Sequence, residues 1–459
     1  MEYPTTTKVR RLEHHRSDIQ QLIVSFMPLR DAARASLVSR NWRMLWTCHP
    51  NLCFDGTKQE PTDEGTLKIN RWYFSKTVNH VVRRHKGIGL NKFSINCDLN
   101  KDEFKHIDGK DVNLQSRHRN RWPTRKHLLE DVYHFSLDAL DAKHDPALES
   151  LFLAVVSIEV HPNISGFTML KRLALQYVKL VGDLPDLLSR CSLLEDLDIS
   201  VCTGVGDLVI PCQLDKLQHL RIWGTEVQMI EFHVSCLTRF GYRGEAISIM
   251  LHGCPKSVKA TIVFLELNQL DHVFTVLPSA LPVKELSLDL HMYDYDLGQV
   301  HTLTRPRNMF MHLRHLKCEV YVLTSAPNTC KGVVQLAHYL EFTPLLEVLE
   351  WHMYYYKKYK CRVRKTKVAR EDYRLSRHDH LKTVYMSGFR CYRPQEELNA
   401  VALEFMSIEP HTILADDDHC DFSDIAEYKK IRKWARRTSA CFGKQVQVKK
   451  KKLAQYFTM

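Results

Sequence analysis

The 459-residue sequence lacks most of the features that mark a membrane-spanning, secreted or catalytic protein. Its longest charge-free apolar run, Leu151–Ile158, falls far short of the ~20 residues needed to cross a bilayer. Residues 1–16, MEYPTTTKVRRLEHHR, contain no apolar segment of the kind a secretory leader requires. The fourteen cysteines are scattered without a CxxC pair, so no disulfide framework is indicated. The expectation is a reduced protein of the cytoplasm and/or nucleus. No HExxH, Walker loop or GxSxG occurs. Asp416-Asp-Asp-His419 lacks the spaced acids and glycine of a calcium loop and reads as a solvated acidic stretch. His378-Asp379-His380 reads as a polar lead-in to a strand. Gly204-Val-Gly206-Asp207 lacks the third glycine of a dinucleotide loop and reads as a tight turn after Cys202. No catalytic residue, no metal site and no cofactor is expected.

What is present is the composition of a globular chain, 44% hydrophobic and 26% charged, with a net charge of +12. The excess sits mainly in a basic insertion, Lys357–Arg377, and a basic C-terminal helix and tail ending in a lysine run. Elsewhere opposite charges roughly balance, which makes nucleic acid an unfavoured partner. Cys191, Cys202, Cys236 and Cys318 read as small buried hydrophobes.

The first sixty residues predict three short helices. Ser17 and Gln20 form a capping box, and Ile19, Leu22, Ile23 and Phe26 recur on one helical face. Pro28 ends that helix, Asp31 caps a second one with Ala32, Ala33, Ser36 and Leu37, and Ser39 caps a third with Trp42, Leu45 and Trp46. Helices this short are marginal alone, and a unit of about forty residues is at the limit of independent stability. Yet Pro28, Leu29, Val38, Trp42 and Trp46 offer more apolar surface than the three helices can hide among themselves. Another protein, or the rest of this chain, must cover it.

Further along, a phrase of the form L-x-x-L-x-L returns: Leu170-Lys-Arg-Leu173-Ala-Leu175, then Leu194-Glu-Asp-Leu197-Asp-Ile199, then Leu217-Gln-His-Leu220-Arg-Ile222. Later copies centre on Leu286, Leu316, Leu349 and Val384; Leu403–Ile408 is the last and Leu90–Ile95 an outlying first. The early copies lie about 20–26 residues apart, the period of leucine-rich repeats. Connections of that length require parallel strands, so the copies predict a curved solenoid with a strand-lined concave face. Strand alternation puts Arg172, Gln176, Asp198, His219, Arg221, Trp223, Arg239, Arg243, Glu285, His315 and Glu350 on that face as candidates for holding a target protein. Arg221, Trp223 and Arg243 are the strongest, being residue types typical of interface anchors.

Two stretches carry a resemblance. Residues His15–Asp55, with Pro28-Leu29-Arg-Asp, Val38-Ser39-Arg-Asn-Trp42 and Leu45-Trp46 followed by Pro50-Asn51-Leu52, resemble an F-box. The rest resembles the repeat domain of plant F-box/leucine-rich-repeat proteins: Phe74–Leu99 as the helix-strand linker, His378–Arg390 as the penultimate strand, Ala400–Pro410 as the strand after it. Lys101–Arg125 matches poorly, and CYRPQEELN is too short for the helix that the family places between those last two strands. The resemblance implies an α/β fold: a flexible 1–14, a three-helix F-box at 15–55, a linker with a helix at 56–89, a solenoid at 90–427 with the insertion at 357–377, and a basic helix and tail at 428–459. It implies a non-catalytic substrate receptor of a Skp–cullin–F-box ubiquitin ligase. The Skp-family adaptor, and through it the cullin scaffold, would be held through Ile19, Ile23, Pro28, Leu29, Val38, Trp42, Leu45 and Trp46. The family's opening Leu-Pro is replaced by His15-Arg16, a change expected to weaken docking at the rim rather than abolish it. The alternative is a basic repeat scaffold binding nucleic acid or an acidic protein without any ligase.

Overall fold

A computed structural model describes residues 19–38, 42, 44–56, 64–86, 89–97, 132–140, 147–162, 164, 167–255, 258–264, 273–274, 277–278, 282–293, 309–323, 340–355, 378–389, 405–410, 423–442 and 445–448. The basic insertion, the acidic Asp416–His419 stretch and the terminal lysine run lie outside them. Two compact units divide the chain, Met1–Cys236 and Leu237–Met459.

The first unit opens with a helix over 19–25, a helix Leu29–Ala35 and a 3-10 turn Leu45–Cys48. Then follow β1 (Asn51–Asp55), the long helix Glu64–Arg84, β2 (Lys92–Asn96), β3 (Tyr133–Ser136), β4 (Ser150–Ala154), β5 (Val156–Val160), β6 (Arg172–Gln176) and β7 (Lys179–Gly182). A helix Leu184–Arg190 leads to β8 (Asp196–Ser200), β9 (Leu208–Gln213), β10 (His219–Trp223) and β11 (Met229–His233). The main sheet runs β1-β2-β4-β6-β8-β10, parallel throughout. Leu52, Phe93, Leu151, Leu173, Leu197 and Leu220 stand in one register row, and all are buried. Those leucines are the repeat phrase: alternate positions of each strand enter the core, and stacking neighbours buries what no single strand can hide.

The second unit contains β12 (Arg239–Gly244), β13 (Ser248–His252), β14 (Val258–Phe264), β15 (Val283–Tyr293), β16 (His315–Leu323), β17 (Val348–Tyr355), β18 (Thr383–Phe389) and β19 (Phe405–Pro410). The helix Ser423–Phe442 and β20 (Gln445–Val448) complete it. Its sheet, β12-β14-β15-β16-β17-β18-β19-β20, is again parallel. The α/β class and the parallel stack expected from the repeats are what the structure shows.

Several local expectations are corrected. The second helix starts at Leu29 with Pro28 as its N-cap, so Asp31 sits inside its first turn and pairs with Arg34. Proline's fixed φ suits a helix start and outcompetes an acidic cap three residues later. Leu45 and Trp46 lie on a 3-10 turn with Met44 at its N-cap position rather than on an α-helix, and Ser39, read as the cap, lies outside the described residues. Cys236 is exposed, while Cys191, Cys202 and Cys318 are buried. The strand ladder begins at Asn51–Asp55, inside the stretch read as the amino-terminal module, and continues past Ile408 to Gln445–Val448. One further copy of the phrase, Leu148-Glu-Ser-Leu151-Phe-Leu153, supplies β4. Among the described residues, most early connections return as strands rather than helices: β3, β5 and β7 form one small sheet and β9 pairs with β11.

The corner after each of three successive strands is built alike. Val155, Tyr177 and Val201 have φ of 57°, 52° and 53°, and each donates its amide to the last carbonyl of the next strand, on Gln176, Ser200 and Trp223. A left-handed non-glycine residue costs of order 1 kcal/mol, tolerated here because the neighbouring repeat holds the amide. After the third corner comes Gly204, φ +73°, where a Cβ would lie 2.1 Å from the Leu180 carbonyl oxygen. Only glycine fits so close to another backbone.

Candidate docking surfaces

The amino-terminal module buries little of its own apolar surface. Val24 and Ala32 are inside, but Ile19, Leu22, Ile23, Phe26, Leu37, Val38 and Met44 are exposed, with Phe26 at 81% and Leu37 and Val38 each at 86%. Pro28 is exposed; Leu29, Trp42, Leu45 and Trp46 are half-buried. All eight residues predicted to hold an adaptor therefore keep accessible surface, as do Leu22, Phe26, Leu37 and Met44. Leu22 and Phe26 were legible as the i+3 and i+7 partners of Ile19; Met44 has no such signal.

His49 fixes this module to the strands that follow. Its Nδ1 accepts the Asn51 amide at 3.0 Å, which places the ring proton on Nε2, and Nε2 donates to the Met27 carbonyl at 2.9 Å. The His49 carbonyl in turn accepts from Nε2 of His85 at 2.9 Å, and the Lys86 amide donates to the Thr47 carbonyl at 2.8 Å. Burial holds His85 below the usual histidine range, against the opposing effect of that hydrogen bond. His49 and Thr47 are themselves buried, so one hydrogen-bonded joint links the first helices, β1 and the end of the long helix.

On the ladder, the side chains opposite the leucines form rows of charge and aromatic surface. In the first unit Arg172, Asp196 and His219 share one row and Asp198 and Arg221 the next. His219 Nδ1 lies 3.1 Å from the Asp196 carboxylate; Arg221 pairs with Asp198 and covers the Trp223 ring at 4.8 Å from its centroid. Gln176 is in register with Ser200, which donates to Asp198 at 2.6 Å. In the second unit Lys259 pairs with Glu285 at 2.7 Å, and Arg239 lies opposite Lys259. Glu350 is shared by His315 at 2.8 Å and His352 at 3.4 Å. Asp289 stands in register with Glu319. Burial and the Glu319 charge push the Asp289 carboxyl up to about 6, against the pull of Arg243 and Lys317. Burial alone would lower Lys317, but the hydrogen bond to Glu319 at 2.6 Å and three nearby carboxylates hold it above the usual lysine range. Tyr321 and Tyr354 stack at 5.0 Å.

The eleven residues predicted to face a target are thus all exposed or half-buried, and several are tied to a neighbour on the adjoining strand. Sequence alternation missed the partners that pair with them, Asp196, Lys259 and His352, and the neighbouring Lys317–Glu319 pair. Among the described residues no helix is long and apolar enough to cross a membrane.

Comparison with known proteins agrees with this layout. The F-box domain model matches residues 17–54, and the model described as At1g61320/AtMIF1, LRR domain matches residues 81–442. Three relatives from Arabidopsis thaliana are representative. A putative F-box/LRR-repeat protein is 27% identical over 202 residues, 41% of this chain and 41% of that protein. Another is 30% identical over 190 residues, 39% of this chain and 34% of that protein. An F-box/FBD/LRR-repeat protein is 29% identical over 227 residues, 46% of this chain and 48% of that protein. The chain spans less than half the length of each of these relatives. With a short apolar module matching the F-box and a leucine-lined parallel ladder matching the repeat model over most of its length, the chain belongs to the F-box/leucine-rich-repeat family.

Proposed function

We propose that this chain is the substrate-recognition subunit of a Skp–cullin–F-box ubiquitin ligase. F-box domains bind Skp-type adaptors, and one observation carries the reading for this copy: Phe26, Leu37 and Val38 stand almost fully in water on a module too small to bury them. Covering a side chain of that size is worth roughly 1.5–3 kcal/mol, enough for a handful of such residues to offset the cost of association. Ile19, Ile23, Pro28, Leu29, Trp42, Leu45 and Trp46 surround or support that patch and complete the adaptor interface.

The ladder then carries the target. Arg221 and Trp223 form its anchor in the first unit, with Arg172, Asp198 and His219 beside them; Arg239, Arg243, Glu285, His315 and Glu350 supply contacts in the second. The receptor does no bond chemistry. It raises the effective concentration of the target near a ubiquitin-charged conjugating enzyme and fixes its orientation, so the rate gain is one of proximity.

Co-purification with a Skp-family adaptor tests this. Wild type is expected to bring the adaptor through size exclusion, and Pro28→Ala combined with Trp42→Ala to lose it. Failure of both to bind, or equal binding by both, removes the mechanical basis of the reading.

A further inference from the structure

The longest helix of the first unit carries a second surface that the reading above does not use. Between Gly65 and Cys97 the sequence contains no Asp or Glu, yet Arg71, Lys76, Arg83, Arg84 and Lys86 fall on or just after the helix Glu64–Arg84. The helix packs through Val78, fully buried, with Phe74, Val81 and Val82 half-buried beside it. Trp72, Lys76, His80 and Arg83 recur on the opposite side at helical spacing, Tyr73 and Arg84 adjoin them, and all six are exposed. Trp72 is 55% and Tyr73 60% exposed. Their rings meet edge to face at 4.9 Å, and Lys76 Nζ stands 4.6 Å from the Trp72 centroid. A stripe of like charge repels itself, and a bare tryptophan gains nothing from water; together they are the composition of a protein interface short of its negative half.

Its position identifies the partner. The Lys86 amide and the His85 ring are hydrogen-bonded to Thr47 and His49, so Arg83, Arg84 and Lys86 end beside the 3-10 turn Leu45–Cys48 that carries Leu45 and Trp46. One end of the cationic stripe therefore adjoins the turn that carries two of the residues proposed to hold the adaptor.

We infer that the cationic-aromatic stripe of Glu64–Arg84 extends the adaptor-docking surface and takes an acidic segment of the same adaptor; this rests on the proposed adaptor binding. The apolar patch supplies affinity. The stripe supplies steering and sets orientation, which an apolar contact alone specifies poorly.

The test uses the full chain and a purified Skp-type adaptor, with association rate and affinity measured across a series of NaCl concentrations. Lys76→Glu with Arg83→Glu is expected to weaken binding about tenfold or more at low salt, mostly through the association rate, and to flatten its salt dependence. Lys76→Gln with Arg83→Gln, milder to the fold, is expected to give a smaller shift in the same direction, and both variants to unfold at the wild-type temperature. Wild-type adaptor affinity and salt slope in both variants overturn this inference alone. So does salt-sensitive binding of an about 20-nucleotide single-stranded RNA that the variants lose while adaptor binding is unchanged. No adaptor binding by wild type overturns the proposed function and this inference with it.

Discussion

Val24 and Phe26, two positions apart at the end of one short helix, lie at opposite extremes: Val24 is 2% exposed and Phe26 81%. The chain buries one side of its first helix and leaves the other side in water, the side proposed to receive the adaptor. The His49 joint ties that helix to β1 and to the end of the long helix.

The joint makes a first prediction. His49→Ala removes a donor to Met27 and an acceptor for the Asn51 amide, both in a buried place. A loss of about 1–3 kcal/mol is expected, with faster hydrogen exchange at residues 19–38 than in the leucine rows. Uniform exchange in the variant would show that His49 does not hold the module.

The register of the ladder makes a second. Leu197 is buried between Leu173 and Leu220, so Leu197→Asp buries an unpaired carboxylate and is expected to cost several kcal/mol in urea unfolding. Arg221→Glu, on the adjoining strand β10 but on the open face, is expected to cost less than about 1 kcal/mol, the range of exposed ion pairs. Comparable losses would contradict the assignment of inner and outer positions.

A third concerns the corner after β8. At Gly204 both the left-handed φ and the 2.1 Å approach to Leu180 exclude a side chain, whereas Gly206, φ +66°, has nothing within 4 Å. Gly204→Ala is expected to cost about 2–4 kcal/mol and Gly206→Ala about 1 kcal/mol, read as denaturation midpoints. Equal costs would mean that the corner opens.

A fourth follows from Asp289, whose carboxyl is raised from 3.8 to about 6 in the folded chain. Between those values the folded state binds more protons than the unfolded one, so this group's contribution to stability falls as pH rises through the window and its penalty is full above it. Asp289→Asn is expected to flatten the stability profile between about pH 4 and 6 and to raise stability at pH 7 by about 1–2 kcal/mol. A variant that loses stability at pH 7 would show Asp289 to be a net stabilising partner of Arg243 and Lys317.

Much of this was readable before any coordinates. Alternation in Leu173–Leu175, Leu197–Ile199 and Leu220–Ile222 placed Arg172, Asp198 and Arg221 on the open face, because a two-residue period leaves no other choice. The first strand was harder: Asn51–Asp55 offers only Leu52 and Phe54, and a long helix separates it from its partner β2. The corner residues Val155, Tyr177 and Val201 carry β-branched or aromatic side chains that local preference places in strands; only the neighbouring repeat makes their left-handed turns tolerable. The exposure of Phe26 and Trp72 is invisible to pattern, since periodicity tells which residues share a face and not what covers it.

The most direct measurement is calorimetry of adaptor binding at several temperatures for wild type and for Phe26→Ser with Val38→Ser. Because covering apolar surface lowers the heat capacity, wild type is expected to bind with a clearly negative ΔCp. The double variant, equally folded, is expected to lose at least about tenfold in affinity together with part of that ΔCp. Unchanged affinity and heat capacity in the double variant would contradict the account.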